Sequence, residues 1–157
     1  MTTVEEVYER HARHVYSFAY WLCGNRQEAE DITSETFVRL WAGADDLRAA
    51  TVRAYLFTIA RNLFLQRARR TRRERPLEDE ILERAPAPDV RAEANDELRA
   101  VARVLQKLPE VDRSALLMRA QQGLSYQEIA RSLGISVSAA KVKVHRARLK
   151  LSALRAG

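Results

Sequence analysis

The sequence predicts an all-α protein of two small helical domains joined by a flexible acidic linker. Apolar residues recur at helical spacing through most of the 157 residues, and only five glycines and four prolines interrupt them. Three of those prolines lie in one acidic segment near the middle of the chain, PLEDEILERAPAPDV. A segment rich in proline and charge is typical of a linker. We therefore predict a first domain at residues 1–75, a linker at 76–92 and a second domain at 93–157.

Three helices are predicted in the first domain. The first covers 4–22, where apolar residues, including Tyr8, fall at i, i+3 and i+4 on the predicted core face. Asn25 follows a glycine and is in position to cap the second helix, which runs to about Trp41. The third helix is predicted to begin near Thr51 and to end near Pro76, because proline cannot continue a helix.

The second domain ends in a predicted helix-turn-helix, LSYQEIARSLGISVSAAKVKVHRARLK. Ser125 and Glu128 have the spacing of a capping box, which marks the start of the first helix of the motif. Gly134 supplies the left-handed turn residue, and Ser136 is in position to cap the helix that follows. A preceding helix is predicted to begin at Pro109, because proline suits the first helical position.

The last helix of this motif is basic on its exposed side. From Ser136 onward the chain has six basic residues and no acidic one. Such a helix is typical of one that lies in the major groove of DNA, with its first turns toward bases and its later cations toward phosphates. The residues predicted to meet DNA are Ser138, Ala139, Lys141, Val142, Lys143, His145, Arg146 and Arg148.

The third helix carries aromatic and basic residues side by side. Tyr55, Phe57 and Phe64 are interleaved with Arg53, Arg61 and Asn62, and an arginine-rich run at 67–75 follows. Proteins that bind single-stranded nucleic acid stack bases on aromatic rings and track the backbone with cations. An aromatic core beside a solvated basic tail fits the same pattern, so composition leaves both interpretations open.

The distribution of charge favours a nucleic-acid partner. Net charge is +6. Residues 61–75 carry seven basic and one acidic side chain, residues 76–97 carry two and eight, and residues 98–157 carry twelve and three. Two basic blocks separated by an acidic spacer fit two contacts with a polyanion.

Other classes of protein lack support in the sequence. No apolar run is long enough to span a membrane. No HExxH, GxSxG or P-loop motif is present and the three histidines are isolated, so we predict no enzyme activity and no cofactor. Glu28, Asp31 and Glu35 lack a histidine or fourth ligand, which favours a solvated acidic face over a metal site. The single cysteine, Cys23, lies in an apolar stretch and is predicted to be a buried, unreactive thiol.

Three stretches resemble the extracytoplasmic-function sigma factors, the smallest class of bacterial RNA polymerase sigma subunits. EAEDITSETFVRLW at 28–41 is similar to the family's region 2.2, and YLFTIARN at 55–62 is similar to its region 2.3–2.4. The stretch from 108 to 151, which contains the helix-turn-helix, is similar to its region 4. The three stretches occur in the family's order and span nearly the whole chain.

The resemblance implies that the second helix binds the clamp helices of the polymerase β′ subunit. Asp31, Ser34, Glu35, Val38 and Trp41 match the family's positions for this contact. These positions share one face of a helix, which is acidic at one end and aromatic at the other. Ser34 stands where the family usually has glutamine.

The resemblance assigns the −10 promoter element to the loop 43–52 and to the third helix. The family's pocket for a flipped, unpaired base lies in this loop, which contains Asp45 and Asp46. The residues of the helix that are expected to contact the melted strand are Arg53, Tyr55, Arg61 and Asn62. Tyr55 stands where the family often has tryptophan and still allows stacking, whereas Gln66 replaces a common aspartate.

The resemblance also implies that the second domain reads the −35 element and contacts the β flap. Ala139 and Ala140 replace a frequent Thr-Val pair, and the lost hydroxyl predicts a shifted −35 preference. Val142 stands where serine is common, which allows an apolar contact with a thymine methyl group. In the family the acidic linker threads toward the RNA-exit path, and a plain flexible tether is the alternative.

These observations predict an alternative sigma factor that binds core RNA polymerase, recognises −35 and −10 elements and stabilises the melted −10 strand. A stand-alone helix-turn-helix regulator and a sigma homologue that no longer initiates are the alternatives. The expected partners are core polymerase, promoter DNA (duplex at −35, single-stranded at −10) and an anti-sigma factor. We expect a cytoplasmic, nucleoid-associated protein without membrane insertion, which an anti-sigma factor could hold at the membrane.

Overall fold

The described part of the chain in this computed structural model, residues 3–43, 49–74 and 96–156, is helical and contains no strand. Asp45, Asp46 and the predicted linker lie outside these residues. The helices are α1 (Val4–Cys23), α2 (Arg26–Ala42), α3 (Ala49–Glu74), α4 (Asp96–Gln106), α5 (Glu110–Leu116), α6 (Tyr126–Leu133) and α7 (Val137–Ala156). A π-helical turn, Leu117–Gln121, continues α5. The prediction of an all-α fold is confirmed.

The helices α1, α2 and α3 form the first group. Gly24 ends α1 with a φ of 74°, a left-handed conformation that glycine adopts without steric cost. The Asn25 side chain then accepts a hydrogen bond of 2.8 Å from the backbone N–H of Glu28, so it caps α2 as predicted. Phe18 of α1 and Phe57 of α3 are buried, and their ring centroids lie 5.1 Å apart in the core of the group.

The helices α4 to α7 form the second group and contain the predicted helix-turn-helix. The capping box of α6 is complete, because Ser125 Oγ accepts from the Glu128 N–H at 3.1 Å and Glu128 Oε1 accepts from the Ser125 N–H at 2.9 Å. Gly134 has a φ of 68°, and Ser136 Oγ accepts from the Ala139 N–H at 3.0 Å. Pro109 is not the first helical residue but the residue before it, since α5 begins at Glu110.

The two groups pack against each other, which the sequence did not predict. Buried residues of both groups belong to one continuous hydrophobic cluster, in which Leu22 and Phe57 lie in the first group and Leu105 and Met118 in the second. Polar contacts cross the same boundary: Arg113 of α5 donates a hydrogen bond of 2.6 Å to the carbonyl oxygen of Leu22. The packing therefore places α3, with its basic and aromatic residues, against the helices of the second group.

The capping box of α6 gives a test of local stability. Replacing Ser125 with alanine removes the hydrogen bond to the first turn of α6 and should lower the free energy of unfolding by about 1 kcal/mol. Ser152→Ala is the matched control, because Ser152 is exposed within α7 and its loss should change stability by less than about 0.5 kcal/mol. Urea unfolding followed by circular dichroism measures both, and equal stabilities of the two variants would contradict the role of the cap.

Candidate nucleic-acid interface

Helix α7 has a buried side and an exposed side. Ala140, Val144 and Ala147 are fully buried against the second group of helices. The side that points directly away from this core carries Ser138, Val142, His145 and Leu149, all of them exposed. Val142 and Leu149 are large apolar residues in water, with exposures of 55% and 59%. An exposed mixture of hydroxyl, imidazole and apolar groups on a capped helix is suited to contacts with base edges.

The predicted cations of α7 fall on both flanks of this exposed side. Lys143 Nζ and Arg146 Nε each lie 3.6 Å from a carboxylate oxygen of Asp112, whose side chain is only 5% exposed. On the other flank, Lys141 lies over the ring of Tyr126, with its Nζ 5.8 Å from the ring centroid. Asp112 therefore holds two of the predicted DNA-binding cations in place, and sequence reasoning missed it.

Ala139 and Arg148 complete the predicted set on α7. Ala139 is partly buried on the Asp112 side of the helix, and Arg148 is exposed on the Lys141 side. The structure thus brings all eight predicted residues onto one continuous surface of α7, with Ser138, Val142 and His145 at its centre.

The four predicted residues of α3 have two different environments. Tyr55 is 48% exposed and Asn62 is also exposed, so both are accessible to a partner. Phe57, by contrast, is only 1% exposed and belongs to the core. Of the rings that the sequence left open between core and binding surface, Phe57 is therefore in the core and Tyr55 is accessible to a partner. The Tyr55 hydroxyl lies beside Gly43 at the end of α2, where a Cβ atom would be 3.9 Å away.

Arg53 and Arg61 are held by the second group of helices. Arg53 Nη2 donates a hydrogen bond to the carbonyl oxygen of Gln122. Arg61 forms a bidentate pair with Glu110, with Nε 2.6 Å from Oε2 and Nη2 2.8 Å from Oε1. The Ser114 hydroxyl donates a further hydrogen bond of 2.6 Å to the same carboxylate.

The environment of Glu110 keeps this pair intact at neutral pH. Burial alone would raise the pKa of Glu110, but the hydrogen bonds from Arg61 and Ser114 outweigh it and lower the pKa below its ordinary value of 4.5. A carboxyl group with a lowered pKa contributes stability that is present above the ordinary pKa and is lost as pH falls through the lowered one. The contact is therefore fully formed throughout the neutral range.

The second helix presents a different kind of surface. Val38 and Trp41 are exposed by 62% and 67%, and Ser34 and Glu35 are exposed beside them. Asp31 is partly buried, with Oδ2 3.7 Å from Nη2 of Arg67 on α3. The five residues assigned to the polymerase contact therefore share one face of α2, with Asp31 at its N-terminal end.

Helix α1 contributes to this surface, which the sequence did not indicate. A groove of about 430 Å³ lies on the surface between α1 and α2. It is lined by Val4, Glu5, Tyr8, Glu9, Ser34, Phe37, Val38 and Trp41. Tyr8 is 51% exposed and meets Phe37 edge-to-face, with ring centroids 4.9 Å apart. Helical periodicity placed Tyr8 with the core residues of α1, because a residue at the edge of an apolar stripe has the same spacing as one at its centre.

Within residues 3–43, 49–74 and 96–156, no group of three or more His, Cys, Asp or Glu side chains is arranged to hold a metal ion. None of the helices in the same ranges is long and apolar enough to cross a membrane.

Two family models match the chain, one over each group of helices. Sigma-70 region 2 matches residues 7–74, and Sigma-70 region 4 matches residues 98–151. The first match contains the α2 surface and α3, and the second contains the helix-turn-helix. The boundary between the two matches lies in the acidic segment.

Individual relatives extend the similarity to nearly the whole chain. The chain is 35% identical over 156 residues to the ECF RNA polymerase sigma factor SigE of Mycolicibacterium smegmatis, covering 96% of this chain and 61% of SigE. It is 39% identical over 145 residues to the ECF RNA polymerase sigma factor EcfG of Rhodopseudomonas palustris, covering 88% of this chain and 77% of EcfG. The chain thus spans less than two thirds of SigE but most of EcfG.

A solved structure shares the arrangement of both helical groups. The sigma factor RpoE from Bartonella quintana, in complex with the anti-sigma factor NepR, superposes with a TM-score of 0.81 at 26% identity, covering 96% of this chain and 94% of RpoE. A helical group of the region 2 type followed by a region 4 helix-turn-helix defines a sigma subunit of the sigma-70 class. The chain belongs to the extracytoplasmic-function RNA polymerase sigma factors, which direct RNA polymerase to promoters.

Cys23, the last residue of α1, provides a test of how closely the helices pack around the end of α1. Burial, with a smaller contribution from Glu28, raises the pKa of the Cys23 thiol to about 12 from an ordinary 9.0. Because the thiolate is the reactive form, we expect Cys23 at pH 8 to react with a disulfide reagent on the order of 100-fold more slowly in the native chain than in urea. Absorbance at 412 nm after addition of Ellman's reagent measures both rates. Similar rates in the two conditions would show that the C-terminal end of α1 is open to solvent.

Proposed function

We propose that the exposed face of α2 binds core RNA polymerase, that α7 reads the −35 element and that α3 contacts the melted −10 strand. One observation carries this proposal. Val38 and Trp41 expose large apolar surfaces on α2, a helix that a stand-alone DNA-binding regulator does not need. Aromatic residues in such patches are typical anchors of protein–protein interfaces. The same chain supplies a capped recognition helix, so it can bind a protein and DNA together.

The groove beside α2 supports a polymerase helix as the bound element. Its floor and walls are apolar and aromatic, while Glu5 and Glu9 of α1 add negative charge at its rim. An amphipathic helix with an apolar ridge and basic flanks fits such a groove. The partner proposed for Asp31, Ser34 and Glu35 is therefore the clamp-helix pair of the β′ subunit.

The chain acts by binding and positioning, with no catalytic step of its own. Its location then follows from its partner: a subunit of RNA polymerase works in the cytoplasm, at the nucleoid. Control by an anti-sigma factor is part of the proposal, because RpoE, which shares the arrangement of both helical groups, is bound by one. A membrane-attached anti-sigma factor would hold the chain at the membrane.

The polymerase contact is tested by removing its exposed anchor. Trp41→Ala should weaken binding to core polymerase by roughly 2 kcal/mol or more, about 30-fold in Kd, because buried aromatic anchors dominate such interfaces. Combining it with Asp31→Arg should abolish the complex. Leu98→Ala is the matched control, since Leu98 is a similarly exposed apolar residue on α4. Fluorescence anisotropy of labelled chain titrated with core enzyme gives the Kd values, and equal affinity of the two single variants would refute the assignment to α2.

The −35 contact is tested by comparing the centre and the flank of α7. His145→Ala should cost holoenzyme about 1–3 kcal/mol on its preferred −35 element and much less on a scrambled element. Arg148→Ala should weaken both DNAs alike and reduce the slope of log K against log salt by roughly one unit, as expected for a phosphate contact. Gel-shift titrations at several salt concentrations separate the two patterns. If both variants lose affinity equally on both DNAs, the centre of α7 does not read bases.

A further inference from the structure

Two cations on one flank of α7 share a single buried carboxylate. Asp112, in the first turn of α5, is only 3% exposed, and α5 packs along α7. Its Oδ1 lies 3.6 Å from Nζ of Lys143, and its Oδ2 lies 3.6 Å from Nε of Arg146. Each oxygen of the carboxylate therefore faces one cation, and one anion with two cations leaves one net positive charge on the cluster.

The two cations of this cluster differ in how much of each side chain a partner can reach. The Lys143 side chain is 26% exposed, whereas the Arg146 side chain is 58% exposed. Lys143 balances the charge of Asp112, which would otherwise repel DNA phosphates near the surface of α7. Arg146 is therefore the member of the cluster that is best placed to reach a base.

The geometry of the Arg146 pair leaves one end of the guanidinium group for a partner. The closest contact with Asp112 is made through Nε, so the four N–H donors of the two terminal nitrogens extend beyond this contact. Terminal nitrogens of this kind can donate two parallel hydrogen bonds to O6 and N7 of guanine, the commonest specific contact of arginine in the major groove. Because the carboxylate orients the side chain before DNA binds, less conformational entropy is lost on binding.

Arg148, on the opposite flank of α7, lacks this support. It is exposed, and within the described ranges it makes no ion pair. A long side chain that is not held in place meets whichever phosphate is near, which adds affinity without sequence preference. The two flanks of α7 therefore suit different tasks, and the flank beside Asp112 is the one suited to reading a base.

We propose that Asp112 is a positioning residue for promoter recognition, which holds Arg146 so that its terminal nitrogens read one guanine of the −35 element. The proposal rests on the proposed function, because it deepens the assignment of α7 to the −35 element. Loss of the Asp112 charge should remove the preference for guanine at one base pair and leave the preferences at the other base pairs unchanged. A residue that only stabilised the fold would affect every base pair alike.

Substitution of each base pair of the −35 element tests this role. Wild-type holoenzyme first selects its preferred element from duplexes randomised at −35, and gel shifts then give the Kd for every single-base change. Wild type should prefer guanine by roughly 10- to 100-fold at the base pair that Arg146 reads. Asp112→Asn, which keeps the size of the side chain, and Arg146→Ala should both reduce this preference to about threefold or less at that base pair. Asp112→Asn added to Arg146→Ala should cause no further change, as expected of two residues that act as a unit.

Asp96→Asn is the matched control for the change of charge. Asp96 is an exposed acidic residue in the first turn of α4 and lies outside the cluster, so its substitution should leave the preference at every base pair unchanged. Arg146→Lys should lose the guanine preference but keep the slope of log K against log salt, because lysine retains the charge and lacks the fork. A guanine preference that survives in Asp112→Asn, or a loss spread evenly over all base pairs, would overturn the proposal.

An NMR measurement of the arginine side chains tests the pair without any substitution. In the wild-type chain without DNA, the Nε–H of Arg146 should exchange with water more slowly than that of Arg148, because the buried carboxylate holds it. Equal exchange rates would show that Asp112 does not hold Arg146, whether or not Asp112→Asn folds. If wild-type holoenzyme selects no −35 sequence, the proposed function fails. Selection of a −35 sequence with no guanine that responds to Arg146→Ala overturns only the inference about Asp112.

Discussion

The packing of the two helical groups depends on one buried guanidinium group, that of Arg113. Arg113 is 7% exposed and donates hydrogen bonds to the carbonyl oxygens of Leu22, at the end of α1, and Leu108, before α5. Its guanidinium also lies 5.9 Å from the ring centroid of Phe64 on α3. A buried charge is tolerated only when it is paired, and here the negative end of the α1 dipole supplies part of that pairing. Arg113 thereby joins three helices that are far apart in the sequence.

The interface between the two helical groups combines apolar packing with directional polar contacts. Leu105 and Met118 add apolar area, but the directional contacts are hydrogen bonds from Arg113, Arg53 and Gln106 to backbone carbonyls.

Local features were predicted from the sequence, whereas the interface was not. The capping box at Ser125 and the turn at Gly134 depend on residues within a few positions of each other, so their chemistry is visible as spacing. The pair of Arg61 and Glu110 joins residues 49 positions apart, and neither belongs to a periodic pattern. Periodicity also cannot separate the centre of an apolar stripe from its edge. For that reason Tyr8 was placed with the core, and Tyr55 could not be distinguished from Phe57.

Helix α5 connects the two candidate DNA-binding surfaces through two acidic residues. Glu110 pairs with Arg61 of α3, and Asp112, two residues later, pairs with Lys143 and Arg146 of α7. The Asp112 pairs lie within the second group of helices, whereas the Glu110 pair joins the two groups. The orientation of the cations on both candidate surfaces therefore depends on the position of α5.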